Sequence, residues 1–331
     1  MWEWASSRPR CCLKFGTGSI AWAETHRNWR GQRRHTCVMA PLADGMIKAS
    51  PTEDNISDPS ALASHIRDLI GSGSAHSAVG ATLLSDLPRR VAVLLPDTAV
   101  RATVLHLDRL PARREEREAL IRWRLGQERL FPLSGAKIVS QVFHDPSGGT
   151  CPAYTVLTVA AQESVLMQYE SLCESVGLIP QEVGITSLRI VDLWRKTSNG
   201  SHWRRRNCLW VNVSDQALTT IIFQQGRLLF FRCKLLGAEA VEALTKKEMQ
   251  DKILEECNAS LEICRQQHPS AVLKEAVVCM DGDMSAFQDL LEVELGLSVK
   301  QLGWHSVEVL GGMTKSSPRG ITSLAAMAGV L

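Results

Sequence analysis

The chain has 331 residues, 45% of them hydrophobic and 22% charged, with 37 basic against 35 acidic side chains. This is the composition of a folded protein of two or three domains, and a formal net charge of +2 provides no global basic field for nucleic acid. No stretch reaches the roughly 18 consecutive apolar residues of a spanning helix, and residues 1–10 lack the apolar core of a secretory signal, so a cytoplasmic protein is expected.

Residues 11–15 read as a short buried strand, followed by the turn Gly16-Thr17-Gly18-Ser19, a second strand at 20–23 and a third at 35–39. Residues 43–59, rich in Asp, Ser and Pro, read as a loop. Ser60 is then placed to cap an amphipathic helix over 61–70, with Leu62, Ile66 and Leu69 on one face and Gly71-Ser72-Gly73-Ser74 as its stop. A buried strand follows at 91–95, closed by Pro96.

A different unit comes next. Residues 100–107 alternate as a strand, Pro111 opens a charged helix over 112–129, and strands at 137–143 and 154–160 are joined by a turn at 145–149. Val165, Leu166, Tyr169, Leu172, Cys173 and Val176 mark an amphipathic helix that Gly177 ends. The segment is a strand-helix-strand-strand-helix module.

The second half repeats the order of the first. Strands are expected at 208–213, 217–223 and 227–233, a long helix over 238–267, a strand at 276–280 and a helix that Gly296 stops. Three strands, helix, strand therefore occurs twice, offset by about two hundred residues.

The ten cysteines are scattered, several inside apolar periodic segments, and without a CxxC pair or nearby histidine they read as reduced core residues with no metal site. No HExxH or GxSxG motif is present, and the acids of residues 113–129 are interleaved with arginines as on a solvated helix. Basic runs at 27–35 and 202–206 are open to two readings, a solvated loop or attraction to an anionic membrane or acidic partner.

A duplicated fold with strand-turn-strand opening each half is the plan of actin-like proteins, whose first turns aim backbone amides at phosphates; Gly16 and Gly18 suit a close anion approach. The module is more specific. Val93-Leu94-Leu95-Pro96-Asp97, Val100-Arg101, Leu110-Pro111, Arg122-Trp123-Arg124-Leu125, Phe131-Pro132, Thr158-Val159-Ala160-Ala161 and Val176-Gly177-Leu178 recur in order. This series resembles the PilM-type assembly proteins of bacterial type IV pili, as do residues 12–19, 209–238, 277–283 and the Ala/Gly-rich end 324–330. Phe131-Pro132 inverts the order usual in that family.

The resemblance implies an α/β, duplicated actin-like (ribonuclease H-like) fold with an inserted β-α-β-β-α subdomain. The implied division is a first domain over 1–96, an insert over 97–180, a return and linker over 181–206, a second domain over 207–316 and a C-terminal helix over 317–331 packing back on the first. It implies a scaffold at the cytoplasmic face of the inner membrane that binds the N-terminal cytoplasmic tail of a single-span PilN-like protein in a groove between insert and first domain. Trp123, Arg124, Leu130 and Phe131 are its candidate lining by position, with packing of Trp123 onto the insert's own sheet as the alternative.

The degenerate nucleotide site that the resemblance implies comprises Lys14, Gly16, Thr17, Gly18, Ser19, Asn212, Ser214, Asp215 and Gly282. In ATP-using relatives each phosphate turn carries an aspartate that holds magnesium; aligned on the turns, Lys14 and Asn212 stand there, with Asp215 three residues on. Lys14 is either a surface cation in a structural turn or a cation that neutralises a bound phosphate. Asp281-Gly282-Asp283 carries one glycine and two acids where the adenosine side expects a glycine pair. The expectation is no ATP hydrolysis and no cofactor. The alternatives are an active actin-like ATP-binding protein and a cytoplasmic module of a type II secretion system.

Overall fold

The computed structural model describes residues 9–27, 30–75, 89–127, 131–144, 153–197, 205–237, 246–282, 284–304 and 319–331. In the first half, β1 (Cys11–Phe15), β2 (Ser19–Arg27), β3 (Arg33–Pro41), α1 (Pro59–Ala75) and β4 (Arg89–Leu95) follow one another. Then come β5 (Arg101–Leu107), α2 (Arg114–Gln127), β6 (Ala136–His144), β7 (Tyr154–Gln162), α3 (Glu163–Ser175), β8 (Leu178–Ile185) and α4 (Thr186–Thr197). The second half holds β9 (Cys208–Ser214), β10 (Ala217–Gln224), β11 (Arg227–Leu235), α5 (Lys246–Gln267), β12 (Glu275–Met280), α6 (Ser285–Leu295), β13 (Ser298–Gln301) and α7 (Ile321–Val330).

Two five-stranded sheets share one plan, β3-β2-β1-β4-β8 and β11-β10-β9-β12-β13. In each, an antiparallel meander is continued by two parallel strands, so Cys11 pairs with Glu24 and Val91, and Cys208 with Phe223 and Glu275. This is the duplicated actin-like fold. β5, β7 and β6 form a separate antiparallel sheet carrying α2. The β-α-β-β-α order of the insert is present, and its last helix, α3, leaves that sheet to pack beside α1. Tyr169 and Leu172 of α3 share a core with Leu62 and Ile66 of α1 and with Leu13 and Phe15 of β1.

The opposite face of β1 carries small residues. Cys12, Ala21, Ala23 and Ala92 join a central core with α4, α7 and the inner face of the second sheet, where Trp194 lies 5.2 Å from Trp210 between ring centroids. α7 contacts β1 to β4 and α4 and is buried along nearly its whole length. A Cβ at Gly329 would overlap Cys12 Sγ and lie 2.9 Å from Cys12 Cβ, so helix and sheet approach closely because both are made of small side chains. The insert also leans on the second domain: His106 Nε2 of β5 is 3.0 Å from His268 Nε2 and 3.0 Å from the Leu229 carbonyl of β11.

Three expectations need correction. α1 continues through Gly71-Ser72 to Ala75, where Ser72 Oγ donates to the Asp68 carbonyl; a helical glycine costs only about 1 kcal/mol and did not stop it. Its cap is Asp58, whose Oδ1 accepts the Ala61 amide at 2.9 Å, and not Ser60. Arg206 of the second basic run pairs with Glu275 at 2.7 Å and stacks over Trp194, so it is an internal tie. The turn at 145–149, Leu130, Asp283, the start of the long helix and residues 202–204 and 305–316 lie outside the described residues.

Nine cysteines are described and all are free thiols; burial pushes Cys37 and Cys257 up to about 12, which keeps them inert. Among the described residues no group of three or more His, Cys, Asp or Glu is placed to hold a metal, and no helix is long and apolar enough to cross a membrane.

Candidate functional site

The two strand-turn-strand openings face each other across the cleft between the halves. Lys14 lies on the same side of β1 as Cys12, directed toward the second domain, and is 0% exposed. Asp215 comes from the β9–β10 turn, where Asp215 (φ +53°) and Gln216 (φ +59°) both occupy the left-handed region. Aspartate tolerates that conformation. The geometry delivers its carboxylate to the first turn: Lys14 Nζ donates to Oδ2 at 2.7 Å and Oδ1 at 2.9 Å, and the Thr17 amide donates to Oδ1 at 3.1 Å.

Gly16 is required by this arrangement. A Cβ there would stand 2.5 Å from Asp215 Oδ1 and 2.7 Å from both Lys14 Nζ and the Ser19 carbonyl. The absent side chain thus makes room for the chain's own ion pair. Lys14 is neither a surface cation nor an open phosphate ligand, because both carboxylate oxygens of Asp215 already engage it.

The first amide of α7 is also capped at this cleft. Asp281 Oδ1 accepts the Ile321 amide of α7 at 2.8 Å, and burial, with the Asp215 charge nearby, raises its carboxyl above the usual range. Ser19 Oγ donates to Thr322 Oγ1 at 3.1 Å. Around these groups the cleft has a volume of about 1180 Å³, with Thr17, Lys48, Glu53, Arg101, Lys234 and Asp281 on its walls. Gly18 and Ser19 also line it, whereas Gly282, at φ +93°, occupies the turn after β12 outside that lining.

Asn212 holds on β9 the place that Lys14 holds on β1: Lys14 pairs with Ala21 and Leu94, Asn212 with Thr219 and Cys279. Asn212 is 1% exposed, and its Nδ2 donates to Ser187 Oγ at 2.8 Å and Ser214 Oγ at 3.0 Å. Ser187 in turn donates through its amide, at 2.9 Å, and its hydroxyl to Asp97, which also accepts Thr219 Oγ1 at 2.7 Å. Burial raises the Asp97 carboxyl, opposed by these hydrogen bonds. Asn212 and Ser214 therefore belong to a dry network joining the two domains. Asp97 was quoted in the sequence only as part of a motif; the signal for its role was an acid and a proline directly after an apolar strand.

The fit to a magnesium nucleotide can be judged from these contacts. Magnesium needs oxygen ligands, and the Asp215 carboxylate between the two turns is held by an ammonium only 2.7 Å away. A divalent cation placed there would meet like charge. The residues present do not fit the metal that phosphoryl transfer uses.

A second concavity, about 870 Å³, runs between the insert and the first domain. Arg114, Arg117, Ile121 and Arg122 of α2 form one wall and Val183 and Leu188 another, while five consecutive residues of β6, Ile138 to Val142, line its length. β6 is an edge of its sheet, so the groove exposes strand backbone as well as side chains. The sequence candidates fall elsewhere: Trp123 is 56% exposed with the Arg124 guanidinium 5.4 Å from its ring centroid, and neither residue nor half-buried Phe131 lines the groove. Leu130 is outside the described residues. Packing of Trp123 onto the insert's own sheet is equally excluded by its exposure.

No family model matches the chain, and neither does any curated protein. Among solved structures, a chain of the PilM-PilN type IV pilus biogenesis complex is similar with a TM-score of 0.71 at 16% identity, over 98% of this chain and 100% of that one. A Bacteroides thetaiotaomicron protein with an actin-like ATPase fold and unknown function aligns at a TM-score of 0.47 and 10% identity, covering 90% and 91% of the two chains. The cytoplasmic domain of EpsL, an inner-membrane component of the type II secretion system of Vibrio cholerae, aligns at 0.47 and 9%, covering 97% and 94%. The first likeness, together with the twice-repeated sheet, gives the fold over the full chain.

Proposed function

We propose that this chain is a PilM-type scaffold at the cytoplasmic face of a bacterial inner membrane, holding the N-terminal tail of a single-span PilN-like protein and hydrolysing no ATP. The observation that carries the reading is the groove along β6, in a fold shared end to end with a chain of a pilus biogenesis complex. An extended tail laid there would run alongside β6, the outer strand of its sheet, and seat side chains against Ile121, Val183 and Leu188. The α2 wall mixes charges, Arg114 being paired with Glu118 at 2.7 Å, and Arg117 beside them offers a cation to a tail carboxylate.

The test is fluorescence anisotropy with a synthetic peptide copied from the tail of the single-span protein encoded beside this one. Leu188→Asp, which puts a charge on the apolar wall, is expected to weaken binding by about 1–3 kcal/mol, or roughly 5- to 150-fold. Trp123→Ala is expected to leave binding unchanged. The opposite pattern, loss with Trp123→Ala and none with Leu188→Asp, would move the tail to the outer face of α2.

The absence of turnover rests on the Lys14–Asp215 pair. Millimolar Mg-ATP is expected to leave the melting temperature unchanged, since a ligand stabilises only through occupancy of the folded state, and no magnesium-dependent phosphate release is expected. Phosphate release that survives purification and vanishes in Asp215→Asn would identify an enzyme instead.

A further inference from the structure

One end of the first sheet is unlike the rest of the surface. β2 outruns β1: Cys11 is the first residue of β1 and pairs with Glu24, and the Thr25 amide donates to the Arg10 carbonyl at 2.7 Å. Beyond that point β2, β3 and the residues joining them carry Arg27, Arg30, Arg33 and Arg34, all exposed. The cross-strand pairs set Arg27 opposite Arg33 and His26 opposite Arg34. Like charges directly opposite destabilise strand pairing, so the fold gains nothing from this pattern.

The neighbouring strands begin at the same end and add Arg10, Arg89 and Arg90. Among the described residues the one acid on these strand ends, Glu24, pairs with Arg89 at 2.7 Å. On the helix layer behind, Asp68 and Glu174 accompany Arg67, which donates to the Ser175 carbonyl at 3.2 Å. Within the hairpin, burial and the Arg33 charge push the His35 imidazole below its ordinary value. Seven arginines less Glu24 amount to +6 in a chain of net charge +2, so everything else is net acidic by four. That asymmetry gives the molecule one end to present to a negative surface.

We infer that this arginine end, the β2–β3 hairpin with the starts of β1 and β4, docks directly on the headgroups of an anionic bilayer. Four adjacent strand ends at about 4.8 Å spacing cover about 15 Å, a breadth that a plane touches at once and that a single extended peptide does not. The two clefts described above lie elsewhere on the molecule. The contact needs no partner protein and goes beyond the scaffold reading. It is also separate from the groove, whose Val183 and Leu188 lie toward the other end of β8.

The full-length chain is to be sedimented with phosphatidylcholine vesicles with and without phosphatidylglycerol. Binding is expected only to the anionic vesicles and is expected to be lost at high salt. Each arginine at such a surface contributes about fivefold, so Arg27→Gln/Arg33→Gln/Arg34→Gln is expected to lose on the order of 100-fold, while Arg27→Lys/Arg33→Lys/Arg34→Lys retains most of the binding. No uptake by anionic vesicles, equal uptake by neutral ones, or full uptake of the glutamine variant each overturns the inference. Displacement of the wild-type chain from vesicles by polyglutamate at matched charge also overturns it and assigns this end to an acidic protein. No tail peptide is in the assay, so a failure here and a failure of the groove variants are separately visible.

Discussion

Lys14→Met is expected to destabilise the protein by about 3–5 kcal/mol, because it strands the Asp215 carboxylate, only 6% exposed, without its cation. Asp215→Asn is expected to cost a similar amount, since Lys14 is 0% exposed and then faces an amide. The double variant Lys14→Met/Asp215→Asn is expected to cost clearly less than the sum, with a coupling of about 2 kcal/mol or more, as groups in direct contact do not behave independently. Urea unfolding of the four proteins measures this. Additive single effects of less than about 1 kcal/mol each would show that the pair is screened by water and does not close the cleft.

Gly329→Val is expected to cost about 3 kcal/mol or more, the upper range for overpacking, because its side chain must enter the space of Cys12 on β1. The alanine variant gives a sharper sign. In an ordinary helix Gly→Ala gains about 1 kcal/mol, whereas Gly329→Ala is expected to lose stability, since even a Cβ overlaps Cys12 Sγ. Adding Cys12→Ala to Gly329→Ala is expected to recover part of the loss. A stabilised Gly329→Ala protein would mean that α7 sits farther from the sheet than described, and the thermal midpoints of the set decide it.

The repeat of strands and helices was readable because apolar runs of five to nine residues, broken by Gly, Pro and Asp, leave little freedom in what they form. Residues 11–15 and 208–213 became β1 and β9 almost to the residue. Tertiary pairing was not readable. Lys14 stood out as a cation where a carboxylate was expected, but its partner is 201 residues away, and no local pattern links positions so far apart. Counting from the turns matched Asn212 to Lys14, as the strand register also does, but it could not show that Asp215, in a left-handed turn, reaches across while Asn212 bonds into the network at the domain boundary. α2 misled for a different reason. Only Ile121 and Leu125 of this helix are buried, so its charged surface gives no periodic sign of which face meets the groove, and Trp123 was chosen by position and by the preference of interfaces for Trp and Arg.

The ammonium between the two turns is covalently part of the chain, so its local concentration is fixed and no cellular pool competes for its place. A metal nucleotide bridging two such turns would have to be bound from solution, whereas here Lys14 and Asp215 bridge them from within the chain at 2.7 Å. On the scaffold reading proposed above, the bridge between the two halves therefore forms with folding itself, and no small molecule has to arrive for the turns to meet.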